Sequence, residues 1–270
     1  MAYSGVSVET VEALVARVED SAMVAVPPDY SFVAMAATRA LIKRGARDLH
    51  VLAVPQSGIQ TDMLIGAGCV AIVETAAISL GELGAAPRFT DALKSGTVAI
   101  RDSTCPAIHA GLQASEKGLP FMPLRGIIGS DLMRVRDDWK ESENPFEQGD
   151  RIVVLPALTP DFALFHAPFA DRNGNVWIGR RRELVTMAHA ARGTLVTVEE
   201  IRDIDLMEDE ALAGGSLPAL YVSALAEAPK GAWPLGMAGH YAPDFDHLAS
   251  YAKMAKSAQG FENYLAEHGA

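Results

Sequence analysis

Residues 151–179 read RIVVLPALTPDFALFHAPFADRNGNVWIG. Two apolar runs of strand length stand out, 152–155 and 162–165, the first reaching Pro156 and the second His166. A continuous apolar run bounded by turn residues fits a strand buried on both faces, as in a parallel sheet beneath helices. Residues 170–175 then gather turn formers around Gly174, which can take positive φ. Residues 176–178 restart an extended segment. The stretch therefore predicts an α/β fold and can scaffold a site at strand ends, but it holds no catalytic signature of its own.

Composition narrows the classes. The chain has 270 residues, 49% hydrophobic and 21% charged, enough to bury the core of one large α/β unit. A net charge of −11 and the lack of any basic run argue against a nucleic-acid surface. Cys69 and Cys105, on unrelated spacing, suggest neither a disulfide framework nor a zinc set. The first twenty residues carry acids and a helical period, so no signal peptide is read. No apolar run approaches the roughly 18 residues of a membrane span. A cytoplasmic chain is expected.

Working outward from the opening stretch, the spacing of Val11, Leu14, Val15 and Val18 predicts a helix opening at residues 7–9. Residues 22–26 and 48–54 read as strands around a helix from about 32 to 44 that ends at Gly45, a βαβ unit. Its strand-end loops, 27–31 and 55–60, come into view as a ligand site. Further strands are expected at 71–74, 98–100 and 195–198, and helices at 61–68, 89–94, 105–117 and 180–192, with a terminal helix from about 245. Residues 137–149 are the most polar segment and are expected to be exposed. No repeat or low-complexity linker divides the chain, so one domain over 1–270 is the simplest reading.

No G-x-G-x-x-G, G-x-x-x-x-G-K-[ST] or G-x-S-x-G motif is present. His166 can be read as a base or as a hydrogen-bonded structural histidine, the second being the default. Asp161 reads as a turn or cap residue. Asp102, at a strand end seven residues before His109, is a candidate general base. Arg125 can hold a carboxylate or phosphate through its guanidinium, or simply form an internal ion pair.

Several motifs together resemble the alpha subunit of family I coenzyme A transferases, of the glutaconate CoA-transferase type. They are DMLIGAG at 62–68, GLPFMPLRG at 118–126, Pro156-Ala157-Leu158 with Pro160-Asp161, and His166-Ala167 through Asp171 to Gly174-Asn175. The residues 188–191 and Pro229-Lys230-Gly231-Ala232 through Tyr241 to Asp244 continue the series. The pieces keep the family's order over roughly residues 20–255. The resemblance implies an open α/β/α sandwich with a mostly parallel sheet, a fold shared with sugar-phosphate isomerases. It also implies an obligate beta subunit, commonly in a heterotetramer of two alpha and two beta chains. Coenzyme A is a substrate, and no tightly bound cofactor or metal is expected. In the transferases a glutamate of the beta subunit, in a Ser-Glu-Asn-Gly setting, forms an acyl anhydride and then a glutamyl-CoA thioester. This chain would supply one wall of the cleft.

Two places depart from that pattern. Family alpha subunits carry a Gly-Gly-Phe loop after the first strand, where this chain reads Val26-Pro27-Pro28-Asp29-Tyr30-Ser31. Two prolines remove two N–H donors and fix φ, so a glycine-type cradle cannot form in the same way. Ser142-Glu143-Asn144-Pro145 looks like the beta-subunit motif, but its surroundings match the alpha chain, and it is read as coincidence. The lost glycine loop raises a second reading. A heteromeric enzyme of steroid degradation, similar to these subunits, opens a cyclic ketone of a CoA thioester with water, and Asp102 is the nearest counterpart of its alpha-chain base. A third reading is a non-catalytic acyl-CoA-binding subunit. The candidate residues are Asp102 for catalysis and Asp29, Gln56, Ser57 and Arg125 for binding substrate or coenzyme A.

Overall fold

A computed structural model describes residues 6–269; the expected unit of 1–270 runs beyond these by residues 1–5 and Ala270. The first element is a strand, β1 (Ser7–Glu9), where the spacing predicted a helix start. Three residues are too few to show a period, and what makes them extended is a partner far along the chain, beside Ala224–Glu227. The helix begins only after Thr10, whose hydroxyl accepts the Ala13 N–H, and forms α1 (Val11–Ala16).

Strand and helix then alternate as read: β2 (Met23–Val26), α2 (Met35–Arg44), β3 (Leu49–Ala53), α3 (Ile59–Gly66) and β4 (Val70–Thr75). They continue with α4 (Pro87–Ser95), β5 (Ala99–Asp102) and α5 (Cys105–Glu116). Gly45 stops α2 in the left-handed region, at φ 71°.

After α5 the chain leaves the main sheet. Segments β6 (Phe121–Leu124), α6 (Leu132–Val135), β7 (Lys140–Glu143) and β8 (Arg151–Pro156) make a separate antiparallel sheet in the order β6-β8-β7. This corrects the reading of residues 152–155 as a parallel strand buried on both faces. Val153 and Leu155 pack with Trp139, Ile127 and Ala110, while Ile152 and Val154 are half-buried on the opposite face. An unbroken apolar run looks the same in either setting. Pro123 is tolerated because β6 is an edge. The polar segment 137–149 is largely exposed as expected, apart from the buried Trp139, and contributes β7.

The main sheet resumes with β9 (Phe162–Asp171), β10 (Val176–Trp177), α7 (Arg182–Ala190), β11 (Gly193–Arg202), α8 (Glu210–Ala213), β12 (Ser216–Leu217) and β13 (Ala224–Glu227). Helices α9 (Phe245–Met254) and α10 (Ala258–His268) end the described chain, two where one was expected. Strand β9 runs through His166 to Asp171 and β11 runs past Val198 to Arg202, because the two pair in parallel along their length.

The sheet order is β1-β13-β11-β9-β2-β3-β4-β5, parallel throughout, with β10 and β12 added antiparallel beside β9. Side chains alternate between two cores. Val24, Val51 and Leu164 face one beneath α1 to α4; Ala25, Leu52 and Phe165 face the other beneath α5 and α7. Helices α9 and α10 pack their Tyr251, Phe261 and Tyr264 against Met35, Ile59 and Met63. Strands β2 to β5 spread one way and β9, β11 and β13 the other, so the winding reverses between β2 and β9. Ligands of open α/β sheets collect outside the carboxyl ends near such a reversal. Among the described residues no helix is long and apolar enough to cross a membrane.

Candidate active site

Three loops leave the carboxyl ends of β2, β3 and β4 and enclose a cleft of about 340 Å³. The first brings Asp29 and Tyr30, the second Gln56, and the third Ser79 to Leu83. Helix α9 and the loop before it close the far side with Leu235, Phe245, Leu248 and Tyr251. The walls are thus assembled from segments more than 200 residues apart.

Asp29 sits at the floor. Its Oδ1 accepts the Gly58 N–H at 2.9 Å and its Oδ2 accepts the Ile59 N–H at 3.1 Å, so the carboxylate caps α3. The fit needs a glycine: a Cβ at Gly58 would lie 2.2 Å from Asp29 Oδ2 and 2.5 Å from the Ser79 carbonyl oxygen. Gln56 returns its carbonyl to the Asp29 N–H at 3.3 Å, and its side-chain amide donates to the Ser79 hydroxyl.

Burial pushes the Asp29 carboxyl up to about 7, against the two backbone N–H groups that favour its charge, and the nearby Asp62 adds to the rise. A carboxyl raised on folding binds its proton more tightly in the native state, so its contribution to stability falls as pH rises from its ordinary range through about 7. Asp29→Asn removes that titration. The melting temperature of the variant, relative to wild type, is expected to rise between pH 5 and pH 8; a pH-independent difference would contradict the assignment.

Ser57 lies behind this floor, fully buried, with its hydroxyl 2.8 Å from that of Thr61. Asp102 is the last residue of β5; its side chain is exposed and accepts the Ser103 N–H at 2.9 Å. Arg125 follows β6 on the small sheet, 65% exposed and paired through Nε with Asp150 at 3.1 Å. The structure therefore brings Asp29 and Gln56 together in the cleft and sets Ser57 behind it, while Asp102 and Arg125 do not line it.

Two buried networks flank the site. Glu74, near the end of β4, accepts Arg136 Nη2 at 2.8 Å, with Arg101 at 3.8 Å and His50 at 3.5 Å. Arg136 also holds Asp138 and donates to the Asp102 carbonyl at 3.0 Å, which fixes the end of β5. On the other side, His166 is fully buried between Thr197 Oγ1 and Glu199 Oε1, each at 2.8 Å. Glu199 further accepts the Tyr241 hydroxyl at 2.5 Å and the Lys230 N–H at 2.6 Å. Burial pulls the His166 imidazole down, and the Glu199 contacts only partly oppose that. These partners make His166 a structural histidine. Asp161 ties strand edges together by accepting the Met23 N–H at 2.8 Å. Among the described residues, no group of three or more His, Cys, Asp or Glu side chains is placed to hold a metal ion.

Local sequence pattern misses the third loop, the α9 wall and Glu199. Residues 79–96 read only as a glycine-rich connection leading into the helix at 89–94, and nothing local marks Leu235 or Leu248 as neighbours of Asp29. Glu199 reads as lying beyond a strand end rather than within β11.

Comparison with known proteins places this geometry. The family model for coenzyme A transferase matches residues 8–227. The matching subunit of the 3-oxoadipate CoA-transferase of Pseudomonas knackmussii is 31% identical over 95% of this chain and 91% of its own length. That of the glutaconate CoA-transferase of Acidaminococcus fermentans is 31% identical over 86% of this chain and 77% of its own. The crystal structure of the same glutaconate coenzyme A-transferase superimposes with a TM-score of 0.91, covering 97% of this chain and 88% of that one. A crystal structure of the decarboxylase AibA/AibB, 31% identical, gives 0.84 over 98% and 100%. The cholesterol ring-cleaving hydrolase IpdA subunit of Rhodococcus jostii is 28% identical over 87% of this chain and 81% of its own.

Proposed function

The chain belongs to the coenzyme A transferase family, and on that premise we propose that it is the alpha subunit of a cytoplasmic heteromer that moves coenzyme A between carboxylic acids. Its partner is a beta subunit, in an assembly of two alpha and two beta chains. The observation that carries this reading is the state of the one carboxylate at the cleft floor. Each oxygen of Asp29 accepts a backbone N–H, so the carboxylate holds α3 and the loop in place, a capping role rather than that of a mobile nucleophile. On this reading the cleft offers walls and a fixed floor, and the nucleophile comes from the partner.

In the proposed cycle the partner's glutamate attacks the thioester carbonyl, forming an acyl–glutamyl anhydride and releasing coenzyme A thiolate. The thiolate then attacks the glutamyl carbonyl, giving a glutamyl-CoA thioester and the free first acid. A second acid reverses the sequence and leaves as the new thioester, restoring the glutamate. Coenzyme A enters in the thioester of the first acid and leaves in that of the second. This chain's part is to orient the acyl group and exclude water, through the apolar walls and the Asp29–Gln56 floor.

A hydrolytic reading draws on Asp102, an exposed carboxylate at a strand end with one oxygen engaged by Ser103, and on the hydrolase-named relative. The two readings part on one substitution. Asp102→Ala in the purified complex is expected to leave transfer between acids within about threefold of wild type, with no solvent oxygen in the products. Loss of turnover by more than about 100-fold, the scale of a removed general base, together with solvent oxygen in the wild-type product, would establish the hydrolase instead.

A further inference from the structure

We infer that the cleft at the ends of β2, β3 and β4 takes an apolar acyl group and discriminates against acids that carry a second carboxylate. This deepens the proposal that the chain binds the acyl part of a CoA ester, and it rests on that reading. The ionisable side chains of Asp, Glu, Lys, Arg or His type that line the cleft are Asp29 and Glu82, both acidic; among the described residues no Lys, Arg or His lines it. The remaining wall is dominated by Leu80, Leu83, Leu235, Phe245 and Leu248. Phe245 is 69% exposed and Leu83 39% exposed at its mouth, so large apolar surface waits where a ligand would pass.

Several of the polar groups that can donate are already committed, and the Tyr30 and Ser79 hydroxyls that remain are neutral. Tyr251 gives its hydroxyl to Asp62 Oδ2 at 2.6 Å, away from the cleft. The Gln56 amide donates to Ser79. The backbone N–H groups that open α3 are the natural anion site of this corner of an α/β fold, and Asp29 fills them from within the chain. A second carboxylate entering here loses water, meets two acids and finds no cation of this chain, a penalty that unpaired charges in apolar surroundings do not recover. A methyl-terminated chain meets a wall that is mostly carbon. The volume of about 340 Å³ lies in the range of small-ligand pockets. This specificity differs from that of the relatives named for 3-oxoadipate and glutaconate, which are dicarboxylic acids.

The test uses the purified complex of the full chain with its partner and two esters of equal length, hexanoyl-CoA and adipoyl-CoA. Calorimetric titration reads binding and a transfer assay reads turnover. Hexanoyl-CoA is expected to bind roughly 100-fold more tightly, the scale set by leaving a charged group unpaired in an apolar site. Leu83→Arg, which adds a cation at the exposed rim, is expected to narrow that ratio at least tenfold by improving adipoyl-CoA. Equal or reversed preference, or no binding of hexanoyl-CoA, overturns the inference. Turnover separates the two claims. Hexanoyl preference in binding with no transfer leaves the cleft's specificity standing and removes the transferase, whereas transfer of both esters at equal efficiency does the opposite.

Discussion

Arg136→Ala is expected to destabilise the protein by about 3–5 kcal/mol, the cost of stripping one partner from a buried ion pair. Arg136 is 4% exposed and Glu74 2% exposed, so the carboxylate left behind cannot recover water. The same substitution frees Asp138 and the Asp102 carbonyl, loosening the junction between β5 and the small sheet. Burial opposes ionisation of Glu74, but contact with His50 and the charges of Arg136 and Arg101 outweigh it and hold the carboxyl below its ordinary value of 4.5. A depressed carboxyl stabilises the native state above its ordinary range and loses that contribution as pH falls through the folded value. Wild type should therefore weaken below pH 4.5, while the deficit of the variant shrinks there because Glu74 accepts a proton and its burial cost is relieved. Urea unfolding of both proteins at pH 7, 5 and 4 measures this. A deficit under about 1 kcal/mol at pH 7, the size of an exposed pair, would show that the network is not what holds this end of the sheet.

Glu199→Ala carries the second large effect, about 2–4 kcal/mol from groups left without partners. An ionised carboxylate only accepts, so His166 Nε2 carries the proton it donates to Glu199, and Nδ1 accepts from the Thr197 hydroxyl. Removing Glu199 strands that N–H in a fully buried ring and releases the Tyr241 hydroxyl and the Lys230 N–H. The last two hold the segment that brings Leu235 and Pro243 to the cleft. A Gly231 Cβ would lie 2.5 Å from His166 Cε1, so the segment is packed directly on the imidazole. The variant should consequently raise KM for an acyl-CoA more than it lowers kcat, and Glu199→Gln, which keeps an acceptor, should recover part of both stability and KM. Equal losses in kcat and kcat/KM would instead point to a direct role in the reaction. A purely structural role confined to the core would leave KM unchanged at temperatures where the variant is folded.

Much of the main sheet could be read along the chain, because parallel strands buried under helices announce themselves as short apolar runs after turn residues. Met23–Val26, Leu49–Ala53 and Val70–Thr75 fall within a residue or so of where their runs predict. The errors share one cause. Ser7–Glu9 is a strand only because Ala224–Glu227 lies beside it, and Arg151–Pro156 joins a different sheet because Phe121–Leu124 and Lys140–Glu143 flank it. Neighbours distant in sequence leave no mark on local pattern. The site divides the same way. Asp29 and Gln56 are visible as polar residues in loops after strands of a βαβ unit, whereas Leu248 and Tyr251 reach the cleft only because α9 packs on α2 and α3. Asp102 and Arg125 met the same sequence criterion as Asp29, and only tertiary placement separates them from the cleft.

The most direct test of a nucleophile supplied by the partner is chemical trapping. The purified complex is incubated with an acyl-CoA that it turns over, reduced with borohydride, and both chains are mapped by mass spectrometry. The expected result is a glutamate of the partner chain reduced to the alcohol, with no modified carboxylate in this chain and Asp29 intact. A reduced Asp29 or Asp102, or turnover with solvent oxygen in the free acid and no trapped glutamate on either chain, would contradict it.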